Sequence, residues 1–220
     1  MRLLIANANP VHAARLSTFA AEVGTDIVTT PAALLEAATK ETFDYIFFPH
    51  WSHIIPATVY EQQECVLFHM TDLPYGRGGS PLQNLIVRGH HTTQLTALRV
   101  SKGLDTGPVY LKAPLSLLGA AREIFMRAGE LMVAMMREII ERRPQPREQE
   151  GEPTLFKRRK PQDGNLAPLQ ELGTVYDYIR MLDADGYPPA FLETDAFRFE
   201  LFRASLHPDK VVADVRIIKK

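Results

Sequence analysis

The chain has 220 residues, enough for one ordinary domain of roughly 150 residues and a smaller addition. Apolar residues make up 45% and charged residues 23%, both usual for a globular protein, and a lone cysteine, Cys65, excludes an intrachain disulfide. With 25 Lys and Arg against 26 Asp and Glu, and no apolar run near the ~20 residues that span a bilayer, the expectation is a cytoplasmic protein with no nucleic-acid and no membrane partner.

Residues 2–7 form a short apolar run closed by Asn9-Pro10. That predicts a buried strand, then a helix with Asn9 as N-cap and Pro10 in its first turn. Ala13, Leu16, Ala20 and Val23 share one face of this helix, and Gly24 ends it. Asp26–Thr29 reads as a second strand. Thr30-Pro31 repeats the cap-and-proline start for a helix carrying Leu34, Leu35 and Ala38. Asp44–Phe48 is a third strand, apolar after Asp44 as in a strand covered on both faces, and Cys65–His69 is a fourth. Strands alternating with helices predict an α/β fold with a doubly wound, mostly parallel sheet.

Gln94–Val100 and Pro108–Leu117 are two further strands around a glycine-rich turn. A helix over 120–143 carries Ile124, Leu131, Met135 and Ile139 on one stripe. Met126, Met132, Met135 and Met136 have the helical spacing of core gap-fillers more than that of a cofactor box. The run 144–153 holds Pro144, Pro146 and Pro153 and no apolar face, so it reads as a linker. A helix over 168–182 and strands at Phe197–Ala204 and Val211–Ile218 complete a small α+β appendage. The expected organisation is a core over 1–143, a linker over 144–153 and a C-terminal subdomain over 154–220. Phe197, Phe199, Leu201 and the Val211–Ile218 strand either pair across a two-fold in a homodimer or pack on their own helix.

The glycine fingerprint of dinucleotide sites, the P-loop, C-x-x-C and G-x-S-x-G are all missing, which weakens nicotinamide, ATP and serine-hydrolase readings. Chemistry gathers instead where strands end. His69 closes the fourth strand and opens a loop containing Gly76, Gly78 and Gly79. The turn 101–108 sets Asp105 between Gly103 and Gly107. If Asp105 meets His69, the pair can move a proton, with the imidazole as base and the carboxylate orienting it. A plain turn in which Asp105 caps its own backbone is the other reading. His50-Trp51-Ser52-His53 follows the third strand. A third ligand is lacking, so no metal site is expected, and contact with a flat heterocycle suits these residues better. His90-His91 reads as a solvated turn. Cys65 and His69 lie about 13 Å apart along a strand, too far for a nucleophile and its base. Lys157-Arg158-Arg159-Lys160 is either a solvated charge run or a grip on a substrate phosphate.

From His69 to Pro81 the chain reads His-x-x-x-Leu-Pro-x-x-Arg-Gly-x-x-Pro, and Gly103-Leu104-Asp105-Thr106-Gly107 follows. The two motifs in this order resemble the formyltetrahydrofolate-dependent formyltransferases. The similarity runs from about Asp44 to Lys112, and more weakly through Arg158–Asp163 and Tyr187–Phe191. The resemblance implies N10-formyltetrahydrofolate as formyl donor and His69 and Asp105 as catalytic residues. It also implies that His50, Trp51, Ser52 and the backbone at Gly103 and Leu104 meet the folate head. Arg77 and Gly78 would belong to the loop closing the site; Lys157 and Arg158, by their charge and place rather than by the resemblance, are the expected contacts to the substrate. The family carries an asparagine two residues before the histidine, where Leu67 stands here. Asn84 is the expected replacement for that oxyanion donor, with Thr71 and His50 as alternatives. The short appendage and the near-zero charge favour the sugar N-formyltransferases, and with them a nucleotide-linked (UDP) 4-amino-4,6-dideoxy sugar substrate of the pseudaminic-acid type. A methionyl-tRNA formyltransferase-like enzyme and a binding module without turnover are the alternatives.

Overall fold

The computed structural model describes all 220 residues, Met1–Lys220. In chain order it runs β1 (Leu3–Ala6), a 3-10 turn (Pro10–His12), α1 (Ala13–Val23), β2 (Asp26–Val28), α2 (Pro31–Lys40), β3 (Tyr45–Phe48), α3 (Ala57–Tyr60) and β4 (Cys65–His69). Then come β5 (Arg77–Gly78), α4 (Pro81–Ile86), β6 (Thr92–Arg99), β7 (Val109–Ser116), α5 (Ala121–Arg142) and β8 (Leu155–Phe156). A 3-10 turn (Pro161–Gly164), α6 (Leu172–Arg180), β9 (Ala190–Glu193), β10 (Phe197–Leu206) and β11 (Val211–Lys219) close the chain. No helix is long and apolar enough to cross a membrane.

The main sheet has the order β2-β1-β3-β4-β6-β7. β1 lies parallel to β2 and β3, β3 parallel to β4, and β4 antiparallel to β6, so the sheet is mostly parallel as expected. The capping signals act as read. The Asn9 side chain accepts from Val11 N–H and the Thr30 side chain from Ala33 N–H, while Gly24 ends α1 at φ 67°, which a side-chain-bearing residue adopts at a cost. Leu4, Ala6, Ile46, Phe48 and Cys65 pack with Leu34 and Val59 in one cluster on a single face of the sheet. Alternation sends Ile5, Phe47 and Phe68 to the opposite face, where the Phe47 and Phe68 rings meet. Of the four methionines, Met132, Met135 and Met136 are buried and Met126 is exposed, so three of them fill the core.

The register places functional residues at one edge. Phe48 pairs with Leu67, so the chain leaving β3 at His50 and the end of β4 at His69 stand at the same height. The segments that follow β1, β3 and β4 all start from this carboxyl edge, where an α/β sheet opens toward ligands.

The chain divides into two compact units that interleave along the sequence. One comprises Met1–Gly78, Thr93–Leu115 and Phe125–Leu155; the other comprises Gly79–Thr92, Ser116–Ile124 and Phe156–Lys220. This corrects the expected boundaries. The run 144–153 is not a free linker: Val109 and Arg147 exchange two backbone hydrogen bonds, and Thr154 N–H donates to Pro74 O. In the second unit, β9, β10 and β11 form an antiparallel sheet with α6 against β10 and β11. The buried Arg180 guanidinium holds this unit together by donating to the carbonyls of Leu117 and Gly119 and pairing with Asp177. The helix expected over 168–182 starts only at Leu172, and β9 was not anticipated.

Candidate active site

His69 ends β4 with its side chain 8% exposed, and Asp105, at 6%, lies beside it: Nδ1 of His69 is 3.6 Å from Oδ2 of Asp105. Nε2 of His69 is 2.8 Å from the carbonyl of Gly76, which can only accept, so Nε2 carries the hydrogen. Thr71 Oγ1 donates to the same carbonyl at 3.3 Å. The free nitrogen of a neutral His69 ring is therefore Nδ1, and it faces a carboxylate that stabilises positive charge arriving there. Asp105 Oδ2 also accepts from Gly78 N–H at 2.8 Å. Residues 76–78 thus hold both members of the pair, one through a carbonyl and one through an amide.

The turn that presents Asp105 is tight. Asp105 sits at φ 53°, a left-handed conformation that Asp and Asn tolerate better than most side chains. A Cβ on Gly107 would fall 1.8 Å from the carbonyl oxygen of Arg99, so only glycine fits there. A residue that sequence reading missed joins these pieces from within the supposed linker. Gln149 Nε2 donates to the carbonyls of Asp105 and Gly107, both at 2.8 Å, and its Oε1 accepts from Arg77 Nε at 3.1 Å and from a terminal guanidinium nitrogen at 2.7 Å.

Along the same edge, Asn9 Nδ2 donates to His50 Nε2 at 3.2 Å, and His50 Nδ1 meets His12 Nε2 at 3.0 Å. The amide donor leaves the His50 hydrogen on Nδ1, which donates to His12. Both rings are held neutral: burial, then the neighbouring His50 and Arg15, lowers His12 to about 3, and burial lowers His50 to about 4. The unfolded imidazoles take protons below about pH 6.5 and the folded ones do not, so each protonation favours the unfolded chain. Stability is full above that pH and falls as the pH drops from 6.5 to about 4, by up to about 1.4 kcal/mol per unit for each histidine. Urea midpoints across this window are expected to fall in the wild type and to fall less steeply in a His12→Gln variant.

Trp51 follows His50 and is 9% exposed, packed edge-on against Phe48 with ring centroids 5.8 Å apart. It belongs to the cluster that holds Cys65, and Leu67 packs against that cluster. Its indole Nε1 is buried with no hydrogen-bond partner. An unanswered buried N–H costs on the order of 1–3 kcal/mol, a cost that a bound acceptor would remove. Ser52, Gly103 and Leu104 are exposed. Cys65 is buried, and burial followed by Glu64 pushes its thiol up to about 12, which leaves it inert near neutral pH.

The expected replacements for the family asparagine are all engaged. Asn84 Nδ2 donates to the carbonyls of Gly79, Ser80 and Lys157, and its Oδ1 accepts from Arg88. It is therefore a brace inside the second unit and not an oxyanion donor. Thr71 serves Gly76, and His50 serves Asn9 and His12. Lys157 and Arg158 lie in the second unit with exposed side chains.

The family described as "Formyl transferase" matches residues 6–121, and "Methionyl-tRNA formyltransferase, C-terminal domain" matches residues 161–218. Methionyl-tRNA formyltransferase of Sulfurovum sp. (strain NBC37-1) is 26% identical over 187 residues, covering 80% of this chain and 60% of that protein. Among curated relatives the chain thus spans only about half to three fifths of the partner's length. The solved structure of methionyl-tRNA formyltransferase from Clostridium thermocellum is 45% identical over the whole of both chains, with a TM-score of 0.97. A structure from Mycobacterium tuberculosis described as a likely sugar N-formyltransferase aligns at 19% identity and TM-score 0.75 over 95% of this chain and 99% of its own, which shows the fold alone. These names overturn the expectation of a nucleotide-sugar partner and no nucleic acid. That expectation leaned on a net charge of −1, but net charge is a sum over the chain and does not describe any one surface; the run at Lys157–Lys160 is itself strongly cationic.

Proposed function

This chain belongs to the formyl transferase family, and we propose that it moves the formyl group of N10-formyltetrahydrofolate onto the amino group of methionyl-tRNA. The observation that carries the reaction is the His69–Asp105 pair at 3.6 Å, with the ring tautomer set by Gly76 so that Nδ1 is the atom free to take a proton. An amine that attacks an acyl carbon must shed a proton, and a positioned imidazole accepts it; the same proton passes to N10 as the formyl–N10 bond breaks and tetrahydrofolate leaves, so the ring returns to its neutral form. Asp105 then stabilises the charged ring, and Gly78 N–H keeps the carboxylate in place. The acceptor rests on the full-length likeness to the Clostridium thermocellum protein named for methionyl-tRNA.

The residues present fit a folate. Trp51 offers a buried, unanswered N–H at the carboxyl edge, suited to a carbonyl or ring nitrogen of the folate head. Asn84, Thr71 and His50 are each engaged with protein partners, so none of them stands in for the asparagine that the family carries at the position of Leu67. When bound, the folate supplies the activated formyl carbon.

Trp51 is the chain's one tryptophan, so its fluorescence reads donor binding separately from turnover. N10-formyltetrahydrofolate is expected to change that fluorescence. Radiolabelled methionyl-tRNA is expected to become formylated at a rate that drops steeply as salt rises from about 50 to 200 mM, as phosphate contacts require. Folate binding with no transfer to methionyl-tRNA, or transfer only to a different amine, would overturn the proposal.

A further inference from the structure

The geometry points to Gln149 as the residue that positions the His69–Asp105 pair for the proposed transfer. Between exposed Arg147, Glu148 and Glu150, Gln149 alone turns inward and is half-buried. Its amide is fully engaged: two N–H groups reach the carbonyls on either side of Thr106, and one oxygen takes two N–H groups of Arg77. Those contacts join the two backbone pieces that build the site. The Asp105 turn is one. The other is the loop in which Gly76 O holds Nε2 of His69 and Gly78 N–H holds the Asp105 carboxylate, with Arg77 between them. The strap bearing Gln149 is itself pinned on both sides, by Val109 to Arg147 and by Arg77 N–H to Thr154 O at 2.9 Å. A side chain that fixes the spacing of loop and turn fixes the 3.6 Å between imidazole and carboxylate, without touching either group.

This inference rests on the formyl-transfer reading for its kinetic consequence but not for its structural one, and the test separates the two. Gln149→Met keeps the length of the side chain and loses all four hydrogen bonds. Gln149→Glu keeps acceptors for Arg77 and loses the two donors to the Asp105 turn, in a half-exposed position that tolerates a charge. Each variant is measured in the full chain in two ways. Hydrogen exchange at the Gly78 amide is expected to speed up at least tenfold in both variants, while core amides such as Ile5 and Phe47 keep their protection. With N10-formyltetrahydrofolate and methionyl-tRNA, kcat is expected to drop up to about 100-fold with KM for the donor nearly unchanged, because alignment and not binding is lost. The glutamate variant is expected to do no better than the methionine one, since a contact to Arg77 alone leaves the turn untied. Unchanged exchange at Gly78, or a Gln149→Met enzyme with wild-type kcat, would overturn the positioning role. Faster exchange at Gly78 in a chain that formylates nothing would uphold that role and sink the transfer reading.

Discussion

Replacing His69 by glutamine is expected to lower kcat for formyl transfer by about 10² to 10⁴, with the folate-induced change in Trp51 fluorescence preserved. Glutamine can still donate toward the Gly76 carbonyl, as Nε2 does now at 2.8 Å, so the loop keeps its anchor. What disappears is the nitrogen facing Asp105, the atom assigned to take the proton. The variant therefore separates holding the loop from doing the chemistry. Single-turnover rates with methionyl-tRNA provide the measurement, and a His69→Gln enzyme near the wild-type rate would remove His69 from the reaction.

The second large effect is expected at Asp105. Asparagine has the same shape, and it is the other residue that accepts the φ of 53° at this position with little strain. Its amide oxygen can still accept from Gly78 N–H, so the fold of the turn is retained. Only the negative charge beside Nδ1 goes. Asp105→Asn is expected to cost at least about 100-fold in kcat while the urea midpoint stays close to that of the wild type. Because both groups act on one proton, the double variant is expected to be little slower than His69→Gln alone. Additive losses would mean that the two side chains work independently.

Several parts of the site were legible in the residues because local rules govern them. His69 follows an apolar strand, and a strand's end in a parallel sheet is a ligand-facing edge whatever the rest of the chain does. Asp105 sits among glycines whose spacing marks an exposed turn, and Gly107 is there because Arg99 O leaves no room for a side chain. The stretch at His50–Ser52 was identifiable by the same edge argument, although His50 proved to be a link in a chain with Asn9 and His12. Asn84 was chosen by position in a helix, and position says nothing about the three carbonyls that occupy its amide. Gln149 was passed over because a polar residue between prolines and charges matches the composition of a linker.

The amino-acid order alone determined the α/β class, the capped starts at Asn9 and Thr30, the alternating strands and helices, and the two motifs that carry His69 and Asp105. These depend on contacts within a few residues, where periodicity, proline and glycine act directly. The tertiary structure alone decided that Gln149 joins partners 44 and 72 residues away, that units expected in succession interleave, and that the Trp51 N–H is left without an acceptor. Hydrogen bonds across such separations leave no periodic trace in the chain. They exist only once the sheet has brought its strand ends together, and the desolvation of polar groups at that edge then dictates which donors and acceptors must meet.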